Sequence, residues 1–108
     1  MSASPVPLPM NPAFVSTTDS IAGHKIVRTL GVAEGICVNP STGILPSGRE
    51  NALRETMKYA FLYMLEQAAA QGAQAIIGLR YAFPECDGPN LVIAYGTAVT
   101  VQKIPYGG

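Results

Sequence analysis

The sequence predicts an α+β subunit: a small antiparallel sheet packed on one long helix, in the order strand, helix, strand, strand, and associated with copies of itself. Three observations carry that reading. Residues 48–71 repeat apolar side chains every three or four positions, the spacing of one helix face. Segments 25–38, 75–83 and 90–104 are rich in β-branched residues and largely alternate, as strands do. The 108-residue chain is 48% hydrophobic and only 13% charged, with seven basic and seven acidic residues, where roughly 25% charged is usual. A chain of this length makes one domain that buries about 60–70% of its surface. Its apolar surplus is therefore expected to be covered by another copy.

Residues 1–13 carry four of the nine prolines. Proline fixes φ and removes a donor, so this segment reads as an extended or disordered tail before a single domain over 14–104, with a short tail at 105–108. Phe14–Thr18 suits a short extra strand, and Asp19–Gly23 a turn. Along Lys25–Val38, Ile26, Arg28 and Leu30 share one face, and Gly31 and Gly35 mark bulges or a bend. Asn39–Gly43 turns the chain. Ser47-Gly-Arg-Glu50 has the capping-box pattern that opens a helix, and Gly72 the left-handed residue that closes one.

That helix, roughly 35 Å long at 1.5 Å per residue, carries Leu53, Met57, Ala60, Phe61, Met64, Leu65 and Ala68 on its apolar face. Tyr59, Leu62 and Tyr63 fall largely outside it, and a second apolar face suits a subunit contact. In Ala75–Phe83, Ile77, Leu79, Tyr81 and Phe83 share one side. In Asn90–Ile104 one face is large (Leu91, Ile93, Tyr95, Thr97, Val99, Val101). The other is small (Val92, Ala94, Gly96, Ala98, Thr100) and admits a close-packed helix.

Several function classes are excluded or disfavoured. No run approaches the roughly 20 apolar residues of a membrane span. Residues 1–13 lack the positive start and apolar block of a secretory leader, so a reducing cytoplasm and free thiols are expected. The scattered basic residues give no case for nucleic acid. Catalysis has no support: His24 is the only imidazole, at a strand edge, and Cys37 reads as a small hydrophobe. A metal site needs three or four converging ligands. Glu85-Cys86-Asp87 is the one local cluster, in a proline-flanked loop that symmetry would have to repeat. No cofactor is expected other than such an ion. Tyr59, Tyr63, Tyr81, Phe83 and Tyr95 suit core or interface better than a pocket for a planar ligand.

Three motifs in order resemble the YbjQ-like family, which carries the label "putative heavy-metal-binding domain": Phe14-Val-Ser-Thr-Thr through Gly31-Val-Ala-Glu-Gly35; Ala68–Gly72 followed by Ala73-Gln-Ala-Ile-Ile-Gly-Leu79; and Gly96-Thr-Ala-Val99. The resemblance spans roughly 14–103. It implies a dodecin-like β-α-β-β subunit and a homopentameric ring in which short extra strands join subunits, and it carries over no established enzymatic activity. The chain departs from the family pattern in a shorter Asn39–Ser47 segment, in Met57 where Arg is usual, and in Leu62 and Tyr63 where polar residues are expected.

The expected function is therefore a non-enzymatic, self-assembling structural or binding protein, probing its own copies through Tyr59, Leu62, Tyr63, Phe14 and Val15. A further protein partner would dock on the outer helix face or on residues 1–13. The alternative is a small-ligand or heavy-metal-binding module, with Glu85, Cys86 and Asp87 at a subunit interface or symmetry axis.

Overall fold

The structure, a computed structural model, describes residues 8–39, 46–84 and 90–105, with side chains described for 8–38, 52–84 and 91–105. It is the expected α+β fold. Strand β1 (His24–Asn39) leads to helix α1 (Pro46–Ala70), then to β2 (Ala75–Ala82) and β3 (Asn90–Lys103). The sheet is antiparallel in the order β1-β3-β2, so the last strand lies in the middle.

The helix starts at Pro46, one residue before the expected cap, which places Ser47 inside the first turn. A proline is well tolerated there because its missing N–H would have had no partner. The side chains of the proposed capping box lie outside the described residues. The other end is as expected. Gly72 adopts φ +83°, its N–H donates to the Ala69 carbonyl, and Ala73 N–H donates to Ala68 at 3.0 Å. These paired bonds satisfy carbonyls the helix leaves free, and they require the left-handed residue. Gly72→Ala is expected to cost about 1 kcal/mol, read as a lower thermal midpoint.

One face of α1 lies on the sheet. Ala60, Met64, Leu65 and Ala68 are fully buried with Ile76, Val92, Ala94 and Ala98. The small face of β3 receives the helix, as its residue sizes indicate. Gly35 on β1 is not a bulge. It lies directly beneath α1, where an added Cβ would overlap the Ala60 carbonyl oxygen and the Met64 amide nitrogen. Near the helix start the buried stripe runs through Ala52 and Thr56 instead of the expected Leu53, which is 37% exposed. Thr56 can be buried because its hydroxyl donates to the Ala52 carbonyl at 2.7 Å, leaving no polar atom unsatisfied.

Bulges break the expected alternation. On β2 the register slips between Ile77 and Arg80 around Gly78 at φ +66°. An extra residue reverses the faces beyond it. Ile77 therefore packs away from the helix, while Leu79 and Tyr81 pack against the main core. On β1, slips between Ile26 and Arg28 and between Thr29 and Gly31 separate Ile26, Arg28 and Leu30 in the same way. Gly31 is at a slip, as expected.

Residues 8–23 wrap the β2 edge. Met10 is buried in the helix-side core. Pro12–Phe14 forms a single 3-10 turn. Val15 then bridges Ile76 in parallel, Ser16 N–H donates to Ile76, and Gly78 and Leu79 donate back to Thr18 and Ser16. Ile21 finally reaches the opposite sheet face and is buried with Ala75 and Val99.

Candidate functional site: an open sheet face between two unlike edges

The helix covers one side of the sheet, and Ile21 covers only one end of the other. No other described residue covers the rest of that second face. Strand pairing sets its rows. Val38 lies beside Leu91, Ile36 beside Ile93 and then Ala82, Glu34 beside Tyr95 and then Arg80, and Val32 beside Thr97 and then Ile77. Val32 is 64% exposed, Val38 53% and Ile36 51%. Such values are ordinary for single residues, but a contiguous apolar patch marks an interaction surface. This face holds much of the apolar surplus that the composition signals.

The two edges of the sheet differ. Along β1, one helix stripe at four-residue spacing runs beside the strand. Gln67 Oε1 accepts from the Glu34 N–H, and Gln71 Nε2 donates to the Val32 carbonyl at 3.0 Å. The next two positions of that stripe are Tyr63 and Tyr59, stacked with ring centroids 6.4 Å apart and 44% and 46% exposed. At the far edge, Val15–Thr18 lies along β2. There Arg80 Nη1 donates to the Thr17 carbonyl at 2.8 Å and to its neighbour Leu79 at 2.9 Å.

The five expected contact residues therefore do not form one patch. Tyr59 and Tyr63 come together at the β1 edge. Phe14 and Val15 lie at the β2 edge, half-buried against the subunit's own core. Leu62 is also half-buried and packs on that core. Sequence reasoning missed Val32, Ile36 and Val38 as surface residues, because alternation shows which residues share a face but not which face stays bare.

The structure offers little for catalysis or metal among the described residues. No group of three His, Cys, Asp or Glu side chains converges there. His24 is half-buried, with Nδ1 2.9 Å from the Ala22 carbonyl and its ring edge-on to Phe14. Cys37 is half-buried against the helix-side core, in keeping with a small hydrophobe. Burial pushes the Tyr81 phenol above the usual tyrosine pKa, which keeps it neutral; its ring stacks on Phe83. Glu85, Cys86 and Asp87 lie outside the described residues.

Residues 46–102 match the model of the YbjQ_1 family, described as "Putative heavy-metal-binding". A UPF0145 protein of Burkholderia lata is 35% identical over 107 aligned positions, covering 86% of this chain and 90% of the relative. The chain belongs to the YbjQ family. A UPF0145 protein of Fervidobacterium nodosum is 33% identical, covering 84% of this YbjQ chain and 97% of the relative. A crystal structure from Pediococcus pentosaceus, of a protein of unknown function in the DUF74 family, matches with a TM-score of 0.64. It covers 82% of this chain and 97% of the other at 22% identity, and so supports the YbjQ fold alone. Among the described residues no three His, Cys, Asp or Glu side chains come together to hold the heavy metal of that description. No helix among the described residues is long and apolar enough to cross a membrane.

Proposed function

We propose that this YbjQ-family chain is a non-enzymatic, self-assembling protein of the cytoplasm, and that its assembled form is a homopentameric ring. The observation that carries the reading is the bare sheet face at Val32, Ile36 and Val38. Apart from Thr97, the described side chains of its rows on both sides of Tyr95 are apolar. Covering such a face removes about 25 cal/mol of unfavourable hydration for each Å² taken from water. A ring needs two different surfaces on each subunit, one for each neighbour. The unlike β1 and β2 edges supply them, with Tyr59 and Tyr63 at the first and Phe14 and Val15 at the second.

Light scattering of the full chain tests this, the expected mass being five subunits. Ile36→Glu places a charge on the bare face without touching the helix-side core. It is expected to raise the protein concentration at half-assembly by about 100-fold, since burying an unpaired charge at a contact costs several kcal/mol. A wild-type chain that stays monomeric, or an Ile36→Glu ring as tight as wild type, is incompatible with the reading.

A further inference from the structure

The bare face has one row unlike its neighbours. From the Val38 row to the Val32 row, the described side chains are apolar or hydroxyl-bearing except in the row of Glu34, Tyr95 and Arg80. There a carboxylate stands on one edge strand and a guanidinium on the other. At about 4.8 Å per strand spacing their Cα atoms are roughly 10 Å apart across the sheet, with Tyr95 between them. The Arg80 guanidinium is turned to the Thr17 and Leu79 carbonyls instead of to Glu34. Both residues are exposed, and no ion pair engages Glu34 among the described residues.

We propose that Glu34 of one subunit pairs with Arg80 of the next, and that this pair sets the register of the contact between copies. The proposal rests on the self-assembly reading above and names the residues that direct it. The occupant of each edge is a second copy of this chain, because the complement to each charge lies on the opposite edge of the same sheet row. A two-fold contact through one edge would set Glu34 near Glu34. A head-to-tail contact sets Glu34 near Arg80 and repeats at every subunit, as a ring requires.

The arginine is placed for this. Its Nη1 is held at the β2 edge by Thr17 and Leu79, which fixes the guanidinium plane. Nη2 and Nε carry the remaining donors, in the fork that matches a carboxylate. Apolar rows on either side, through Ile36 and Val32, would exclude water from the pair once the face is covered. Charges so placed govern partner choice and alignment more than bulk affinity.

Charge reversal with rescue is the test, read by light scattering and analytical ultracentrifugation on the full chain. Glu34→Arg and Arg80→Glu are each expected to raise the half-assembly concentration at least about 10-fold, by setting like charges together. The double variant E34R/R80E is expected to return to within about 3-fold of wild type. Arg80→Glu also loses the bond to Thr17, but E34R cannot restore that bond, so recovery in the double variant reports the pair. Glu34→Arg leaves Arg80 and its bonds in place, which keeps the single test free of that loss. If wild type assembles and Glu34→Arg assembles equally well, the pair is wrong while self-assembly stands. If both single variants weaken assembly and the double variant does not recover, the pair is again wrong. A wild-type chain that is monomeric at all concentrations overturns the self-assembly reading itself.

Discussion

Gly35→Ala is expected to destabilise the subunit by about 3 kcal/mol or more, the upper end of the range for overpacking a core. The added methyl group meets backbone on three counts: the Ala60 carbonyl, the Met64 amide, and the Tyr63 carbonyl carbon at 2.9 Å. A side chain could rotate away, but a helix backbone cannot. Either α1 lifts from the sheet, opening the layer between Met64 and Val92, or β1 bends and strains its pairing with Ala94. Domains of this size have only about 5–15 kcal/mol of stability. A fall of about 10 °C or more in the thermal midpoint is the measurable form. A variant melting within 2–3 °C of wild type, on a scale of roughly 4–8 °C per kcal/mol, would show that the helix does not rest on Gly35. Gly23, with nothing within 4 Å of an added Cβ but φ +72°, serves as the comparison: its alanine variant carries backbone strain alone, about 1 kcal/mol.

Met64→Ala is the second large effect, expected to cost about 3 kcal/mol. Met64 is fully buried and among the largest side chains wholly out of solvent. Truncation loses its transfer free energy and leaves a cavity that the helix and sheet cannot close, because Ala60 and Ala68 already bring them near. Met64→Leu conserves volume and is expected to cost under about 1.5 kcal/mol. Chemical denaturation of the two variants separates the cavity from a general intolerance of change. Equal losses for Leu and Ala would mean that sulfur or side-chain shape, not volume, governs the position.

Much of the fold was legible because it rests on local patterns. The spacing of Ala60, Met64, Leu65 and Ala68 specifies a helix face, and Gly72 specifies its end. The small face of β3, from Val92 to Ala98, announces that something large packs close. The bulges were legible only in part. Gly31 marks one, but in sequence Gly78 looks like an ordinary strand position, which puts Ile77 on one side with Leu79 and Tyr81. A left-handed glycine and a plain one look alike in sequence; only pairing with Thr97 and Tyr95 tells them apart. Gly35 suggests a bulge or bend in sequence because its tertiary neighbours, Ala60 to Met64, lie 25 or more residues away along the chain. Thr56 gives no sign in sequence, because its burial depends on a hydroxyl turned back onto its own helix.

The candidate surface was legible as an excess, not as a place. Composition shows too many apolar residues for one small core, and Tyr59 and Tyr63 show where a few of them sit. The bare rows at Val32, Ile36 and Val38 follow from a three-strand sheet having a single helix to cover it. Whether the second face is bare depends on topology and on how far the wrap to Ile21 reaches, neither of which is a property of any short segment. The charged row is similar: Glu34 and Arg80 are 46 residues apart in sequence and align only through Tyr95.

The two glutamines on α1 carry one more consequence. An edge strand with free N–H and C=O groups is a template on which further strands can add without limit. Gln67 and Gln71 occupy those groups at Glu34 and Val32 with side-chain amides, in the place an added strand's backbone would need. A chain this poor in charge has little electrostatic repulsion to keep it from fibrous aggregation. The glutamine pair supplies a steric and polar block in place of that repulsion, so that strand addition stops at Val32 and Glu34.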